Sequence, residues 1–300
     1  RKLSKTLSPD TPGRVLTDEA QFAQIALPVL ELVDDDQVGE ALEALATRSA
    51  ASWTGTSAAP IRLLPTELAL ADLPDVFAVP DAVPLGLRQD TMDTAWWDLF
   101  GDDQHLLVLG DTRCGKTTLL RTIAAGLVSG WSSDEVTVAV IDPRGHVVSA
   151  LPDDYLAAHA QNTAQAAGLV RSIAAELDQR PGRDAETRAR EPRVVVLVDD
   201  HDIVSAGGVD PLEGLLPYLP SARDLRLHVV ITRPVAGAGR ALFHQTLSAT
   251  RDTGGATFVM SGDRTEGVLV GRTHAEHLPP GRGRYVRRGA RPFLVQVAQA

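Results

Sequence analysis

A mainly parallel α/β sheet flanked by helices, preceded by a short N-terminal connector, is the fold class the sequence predicts. Two observations carry that prediction. From Pro60 onward, continuous apolar runs of strand length alternate with helical segments, the rhythm of a parallel sheet covered on both faces. Between the first of these runs, HLLVLG (105–110), and the helix after it stands GDTRCGKTTLL (110–120), a glycine-bounded loop in the strand-to-helix setting that such sheets use for phosphate.

In chain order, residues 1–59 carry weak helical patterns such as VGEALEALATRSAA and close on the loop-like WTGTSAAP; they read as a connector. The domain proper spans 60–300. After HLLVLG comes the helix TTLLRTIAAGLVSG, then the strand VTVAVID (136–142), a loop, and NTAQAAGLVRSIAAELDQR, whose apolar residues recur at three and four and predict a helix. PGRDAETRAREP reads as a polar loop. RVVVLVDD, LRLHVVIT and GATFVM are three further buried strands with helices between them, and PGRGRYVRRGARPFLVQVAQ reads as a strand pair. The segment PGRVLTDEAQFAQIAL, from Pro12, loosely repeats that ending. If the echo is real, the first thirty or so residues are the last strands of a preceding copy of the same domain.

Composition narrows the function classes. With 44% apolar and 23% charged residues the chain can bury at least one large core. No run nears the roughly 18 apolar residues of a membrane span, and RKLSKTLSPD lacks the apolar stretch of a signal peptide, so no self-driven membrane crossing is expected. The single cysteine, Cys114, excludes an internal disulfide and a multi-cysteine metal site. A formal charge of -10 opposes general affinity for nucleic acid, although GRGRYVRRGAR (281–291) is a local basic run. Lysine occurs only at Lys2, Lys5 and Lys116, so the one lysine beyond the first few residues sits in the glycine loop.

That loop fills GxxxxGK[ST] without substitution. Gly110, Asp111, Thr112, Arg113, Cys114, Gly115, Lys116, Thr117 and Thr118 are the expected nucleotide-binding residues. Successive N–H groups would face a triphosphate, Lys116 would place a cation at the β and γ phosphates, and Thr117 would ligate Mg²⁺. Cys114, at a helix N-terminus, reads as a small filler rather than a thiol acidified for redox work. VVVLVDDHD supplies the partner signal: Asp199 is expected to hold the metal through its water shell. Asp200 stands where related enzymes carry a glutamate that polarises the attacking water, and its shorter side chain draws that base back. His201 and Asp202 read as loop residues. Thr232 and Arg233 close LHVVITRP and would face the γ-phosphate, Arg233 as a second catalytic candidate, although a strand merely ended by Arg-Pro fits as well.

Taken together, VPLGLRQDTMDTAWWDLFGDDQHLLVLGDTRCGKTTLLR, VAVIDPRGHV, VVVLVDDHDIV, LRLHVVITRPVAGAGRALF, MSGDRTEGVLVG, PPGRGRYV and LVQVA resemble the FtsK/SpoIIIE-like ATPases of type VII (ESX) secretion, the EccC proteins, and the last of their three tandem ATPase domains. GRVLTDEAQFAQIALP resembles the exit of the second ATPase domain and APIRLLPTEL the lead-in to the third. The resemblance implies a RecA-like P-loop NTPase that binds ATP with Mg²⁺ and receives the C-terminal peptide of WXG100-type substrates. It further implies neighbouring ATPase domains, membrane subunits of the secretion complex, a hexamer in the full assembly, and a cytoplasmic location at the actinobacterial inner membrane. Arg113 within the loop, and Thr-Arg-Pro where DNA-pumping relatives carry a glutamine-containing strand end, depart from the family pattern.

Two function classes therefore compete. One is an ATP-holding docking domain with weak or no hydrolysis, in keeping with Asp-Asp in place of Asp-Glu. The other is a hydrolysing motor domain of a ring translocase moving protein, DNA being disfavoured by the net charge. A motor needs an arginine from a neighbour, for which Arg240 and Arg251 are candidates, each equally readable as a solvated helix residue.

Overall fold

The computed structural model describes residues 7–8, 11, 13–27, 29, 33–56, 58, 61–73 and 79–300; Lys2, Lys5, Pro12 and the expected boundary at Ala59 and Pro60 lie outside them. The chain forms two compact units, Arg1–Ile61 and Arg62–Ala300.

In the first unit, strands β1 (Arg14–Leu16) and β2 (Phe22–Gln24) pair as an antiparallel hairpin, and helix α1 (Val38–Ser52) follows without burying any residue. Alanine, leucine and glutamate favour that helix by propensity rather than by packing.

The second unit holds a ten-stranded sheet. Strands β3 (Val83–Arg88) and β4 (Thr94–Trp97) form a hairpin ahead of β5 (His105–Leu109), helix α2 (Lys116–Gly130) and β6 (Val136–Ile141). Strand β7 (Leu156–Ala160), helices α3 (Thr163–Leu177) and α4 (Ala185–Arg190), and strand β8 (Arg193–Val198) come next. Short helices α5 (His201–Val204) and α6 (Ala222–Leu225) lead to β9 (Leu227–Arg233), and α7 (Ala238–Ala241) and α8 (Gln245–Asp252) to β10 (Gly255–Met260). Strands β11 (Val268–Val270), β12 (Thr273–His274), β13 (Arg282–Val286) and β14 (Phe293–Val297) complete the chain. The sheet order is β4-β3-β14-β13-β10-β5-β9-β8-β6-β7. From β10 to β7 every pairing is parallel, and β13, β14, β3 and β4 extend that half antiparallel.

Alternate residues of the central strands enter two cores, as a twofold side-chain period demands. Leu107 and Leu109 of β5 join Val196 and Val198 of β8 on the face covered by Val170, Ile173 and Leu177 of α3. Leu106 and Val108 join Val195 and Leu197 on the other face, under Leu119, Leu120 and Ile123 of α2.

Several elements differ from the sequence reading. The loop PGRDAETRAREP contains α4. Strand β7 escapes the sequence because LAAHA is an edge strand, mostly half-buried, with no continuous apolar run. The predicted terminal strand pair is β13 and β14, and it is matched in detail by the β1–β2 hairpin. Gly13 and Gly281 enter their hairpins at φ +77 and +74, a left-handed turn that glycine adopts without strain, and Arg14 and Arg282 then stand opposite Gln24 and Gln296.

Two buried histidines give this unit a pH-dependent stability. Burial lowers the His105 pKa to about 4, and its Nδ1 accepts the Val229 N–H at 3.1 Å. Burial and the neighbouring His105 lower the His228 pKa to about 3. Both stay neutral in the folded chain while the unfolded chain takes up protons near pH 6.5, so stability is full above that pH and falls as pH drops toward 4. Urea midpoints should therefore be lower at pH 5 than at pH 7, by a difference that shrinks in His105→Asn and His228→Asn. An equal drop in those variants would assign the effect to other groups.

Candidate nucleotide-binding site

The glycine loop leaves the C-terminal end of β5 between its parallel neighbours β9 and β10, where open α/β sheets form their ligand crevice. Tight packing shapes the loop. A Cβ on Gly110 would lie 2.4 Å from Cys114 Sγ and 2.9 Å from Met260 Cβ. Gly115 takes φ +109 at the start of α2, and Arg113 takes φ +63. The Gly110 N–H donates to the Arg233 carbonyl at 3.1 Å and the Asp111 N–H to the Ser261 carbonyl at 2.9 Å, pinning the loop to both neighbouring strand ends. Asp111 Oδ1 accepts the Val235 and Ala236 N–H groups at 3.1 and 3.2 Å, so its carboxylate fastens the loop rather than facing the cleft.

Thr112, Arg113, Gly115, Lys116, Thr117 and Thr118 line a cleft of about 320 Å³, faced by Arg144, Asp200 and Asp202. Lys116 Nζ donates to the Asp111 carbonyl at 3.3 Å and stands 3.9 Å from Asp200 Oδ1. The Thr117 hydroxyl donates to Asp199 Oδ2 at 2.7 Å. Asp199, at the end of β8, is 1% exposed, and burial raises its carboxyl above the usual range against the hydrogen bonds from Thr232 and Thr117. The Thr232 hydroxyl donates to Asp199 Oδ1 at 2.6 Å and accepts the Asp200 N–H at 3.0 Å. One threonine at the end of β9 thus ties both acids to the strand beside the phosphate loop. Asp200 itself has φ 47, a left-handed conformation that aspartate tolerates better than most residues.

Other residues fall differently from the sequence reading. Arg144, to which the sequence reading gave no role, places Nε 3.1 Å from Asp200 Oδ2. It follows Asp142, whose carboxylate accepts the Arg144 and Val147 N–H groups and so fixes the turn after β6. Arg233 is buried and its Nε turns toward the Pro234 carbonyl at 3.4 Å; Pro234, not Arg233, lines the cleft. His201 is no surface loop residue. It starts α5, is 3% exposed, and its Nε2 lies 3.1 Å from Asp210 Oδ1. Asp202 lies on α5 at the rim of the cleft. Burial raises the Cys114 thiol pKa and its sulfur rests 3.8 Å from Met260 Sδ, so the helix N-terminus does not acidify it. Arg240 is exposed and Arg251 pairs with Asp252; neither lines the cleft.

The residues present fit a nucleoside triphosphate with its metal: an N–H loop at a helix start, one lysine, a threonine hydroxyl, and a buried carboxylate already in contact with that hydroxyl.

The FtsK/SpoIIIE family matches residues 71–200. Over 99% of its length the chain is 33% identical to the ESX secretion system protein EccC of Thermomonospora curvata, and over 99% it is 35% identical to the ESX-4 secretion system protein EccC4 of Mycobacterium tuberculosis. It spans 23% and 24% of those two proteins, about a quarter of their length. The solved structure of Thermomonospora curvata EccC (ATPases 2 and 3) in complex with a signal sequence peptide superposes with a TM-score of 0.79 at 30% identity, over 100% of this chain and 55% of that one. The likeness extends to the mostly parallel, helix-flanked sheet of a RecA-like P-loop ATPase.

Proposed function

Because the chain belongs to the FtsK/SpoIIIE family and is a relative of the EccC proteins of ESX secretion systems, we propose that its second unit binds ATP with Mg²⁺, hydrolyses it weakly or not at all, and docks the C-terminal signal of a WXG100-type substrate for export. The observation that carries the nucleotide half is the Thr117–Asp199–Thr232–Asp200 network beside Lys116. Thr117 and, through water, Asp199 would hold the metal, which when bound neutralises charge between the β and γ phosphates. The N–H groups of Gly115 through Thr118 would take the phosphates, and Arg113 would add a second cation beside them.

The proposed weakness of turnover rests on Asp200. Its carboxylate is one methylene shorter than a glutamate and is engaged by Arg144 at 3.1 Å, which keeps it from an attacking water. Arg233, the other catalytic candidate, would have to leave the Pro234 carbonyl to reach a phosphate.

Docking rests on a groove of about 580 Å³ at the sheet edge, where Leu169 and Ile173 of α3 face Ala157 and Ala158 of β7. Its walls are largely apolar, as a peptide groove requires, and a relative of this chain has been solved with a signal sequence peptide. Leu169→Asp should weaken binding of a substrate C-terminal peptide at least about tenfold, as loss of an interface anchor does, and leave ATP-induced thermal stabilisation intact. Unchanged peptide affinity would move the docking site elsewhere.

In this reading the first unit comprises the exit strands of a preceding ATPase domain and a connector. The shared Gly-Arg entry and Arg–Gln register of the β1–β2 and β13–β14 hairpins support it. The assembly would place the domain on the cytoplasmic side of the inner membrane, in a hexamer with neighbouring ATPase domains and membrane subunits. Among the described residues no helix is long and apolar enough to cross a membrane.

A further inference from the structure

The nucleotide reading leaves the basic run 281–291 unused. With the segment around β11 and β12 it lines a groove of about 960 Å³. Seven arginines border this groove against two carboxylates, Asp252 and Glu276, in a chain whose net charge is -10. Three of the arginines are held within the fold: Arg284 by Glu276 at 2.5 Å, Arg251 by Asp252 at 2.9 Å, and Arg287 by Asp103. The side chains of Arg264, Arg272, Arg288 and Arg291 are exposed and have no hydrogen bond or ion pair among the described residues. In the same wall, Nδ1 of His274 is buried without a partner.

Gathering unpaired cations around one concavity costs mutual repulsion, which an anionic occupant reverses. The surface between them narrows the kind of anion. Val270, Ala275, Val286 and Pro292 give it apolar ground, and no phenylalanine, tyrosine or tryptophan lines it. Single-stranded nucleic acid is held on a basic track with successive aromatic stacking platforms, which this groove does not offer. An extended acidic peptide with small apolar side chains satisfies both features, carboxylates to arginine and aliphatic groups to the floor.

We propose that this groove docks an acidic, extended segment of a partner protein, with carboxylates engaging Arg288 and Arg291 on the β13–β14 loop and Arg264 and Arg272 on the β11–β12 side. The site is separate from the ATP cleft and from the apolar groove beside α3, and it stands whether or not those assignments hold.

The test is fluorescence anisotropy on the whole chain. The probes are a labelled peptide of alternating glutamate and valine, its glutamine counterpart, and a single-stranded oligonucleotide of equal charge. The acidic peptide should bind at least about tenfold tighter than the glutamine peptide and tighter than the oligonucleotide, with affinity falling as salt rises. Arg288→Glu with Arg291→Glu, two exposed and unpaired positions, should weaken it at least about tenfold with the melting temperature unchanged. Arg121→Glu, exposed on α2 outside the groove, should change it by less than about twofold. Equal affinity for the glutamine peptide, tighter binding of the oligonucleotide, or insensitivity to the double reversal would each overturn the assignment.

Discussion

Lys116→Ala removes the thermal stabilisation that ATP confers. Ligand at a hundredfold excess over its dissociation constant stabilises a folded chain by about 2.7 kcal/mol, a rise of roughly 5–11 °C for a domain of this size. Lys116, on α2, is the cation proposed to meet the phosphates, and its ammonium reaches only the Asp111 carbonyl at 3.3 Å and Asp200 at 3.9 Å. Neither contact holds the fold, since the loop is pinned by backbone bonds to Arg233 and Ser261. The variant's melting temperature without ATP should therefore stay close to the wild type, while the ATP-induced rise disappears. A variant that still gains the full rise would place ATP somewhere other than this cleft.

Asp200→Glu raises the rate of ATP hydrolysis, by on the order of ten- to a hundredfold. Displacement of a reacting group by about 1 Å can cost a hundredfold, and one methylene supplies an advance of that size. The gain is set against the left-handed backbone at Asp200, φ 47, which glutamate accepts less readily than aspartate, and against the Arg144 guanidinium 3.1 Å from the carboxylate. Arg144→Ala in the glutamate background separates these: a further rise identifies the arginine as a restraint on the acid. No gain in either variant, with ATP affinity retained, would mean that the short acid is not what limits turnover.

The parts of the site legible in the sequence are those whose chemistry is local. GxxxxGK[ST] between an apolar run and a helix places Lys116 and Thr117 without reference to the rest of the chain, and an apolar run ending in Asp199 marks the strand that must lie near it. Thr232 was legible by its place at the end of β9, although its bridge to both acids depends on β9 lying between β5 and β8. Arg144 was not, because its approach to Asp200 depends on a turn fixed by Asp142 and no spacing rule connects the two. His201 looked like a loop residue since its partner, Asp210, is brought to it only by the fold. The same holds for strands: β5, β8 and β9 are covered on both faces and read as apolar runs, whereas β7 at the edge is alanine-rich and mostly half-buried.

The most direct test of the central claim pairs two readings on the purified chain, retention of ATP and its steady-state hydrolysis, each repeated with a synthetic C-terminal peptide from a WXG100-type substrate. The account predicts tight ATP, little turnover and saturable peptide binding; brisk hydrolysis indifferent to the peptide would contradict it and make this a motor domain.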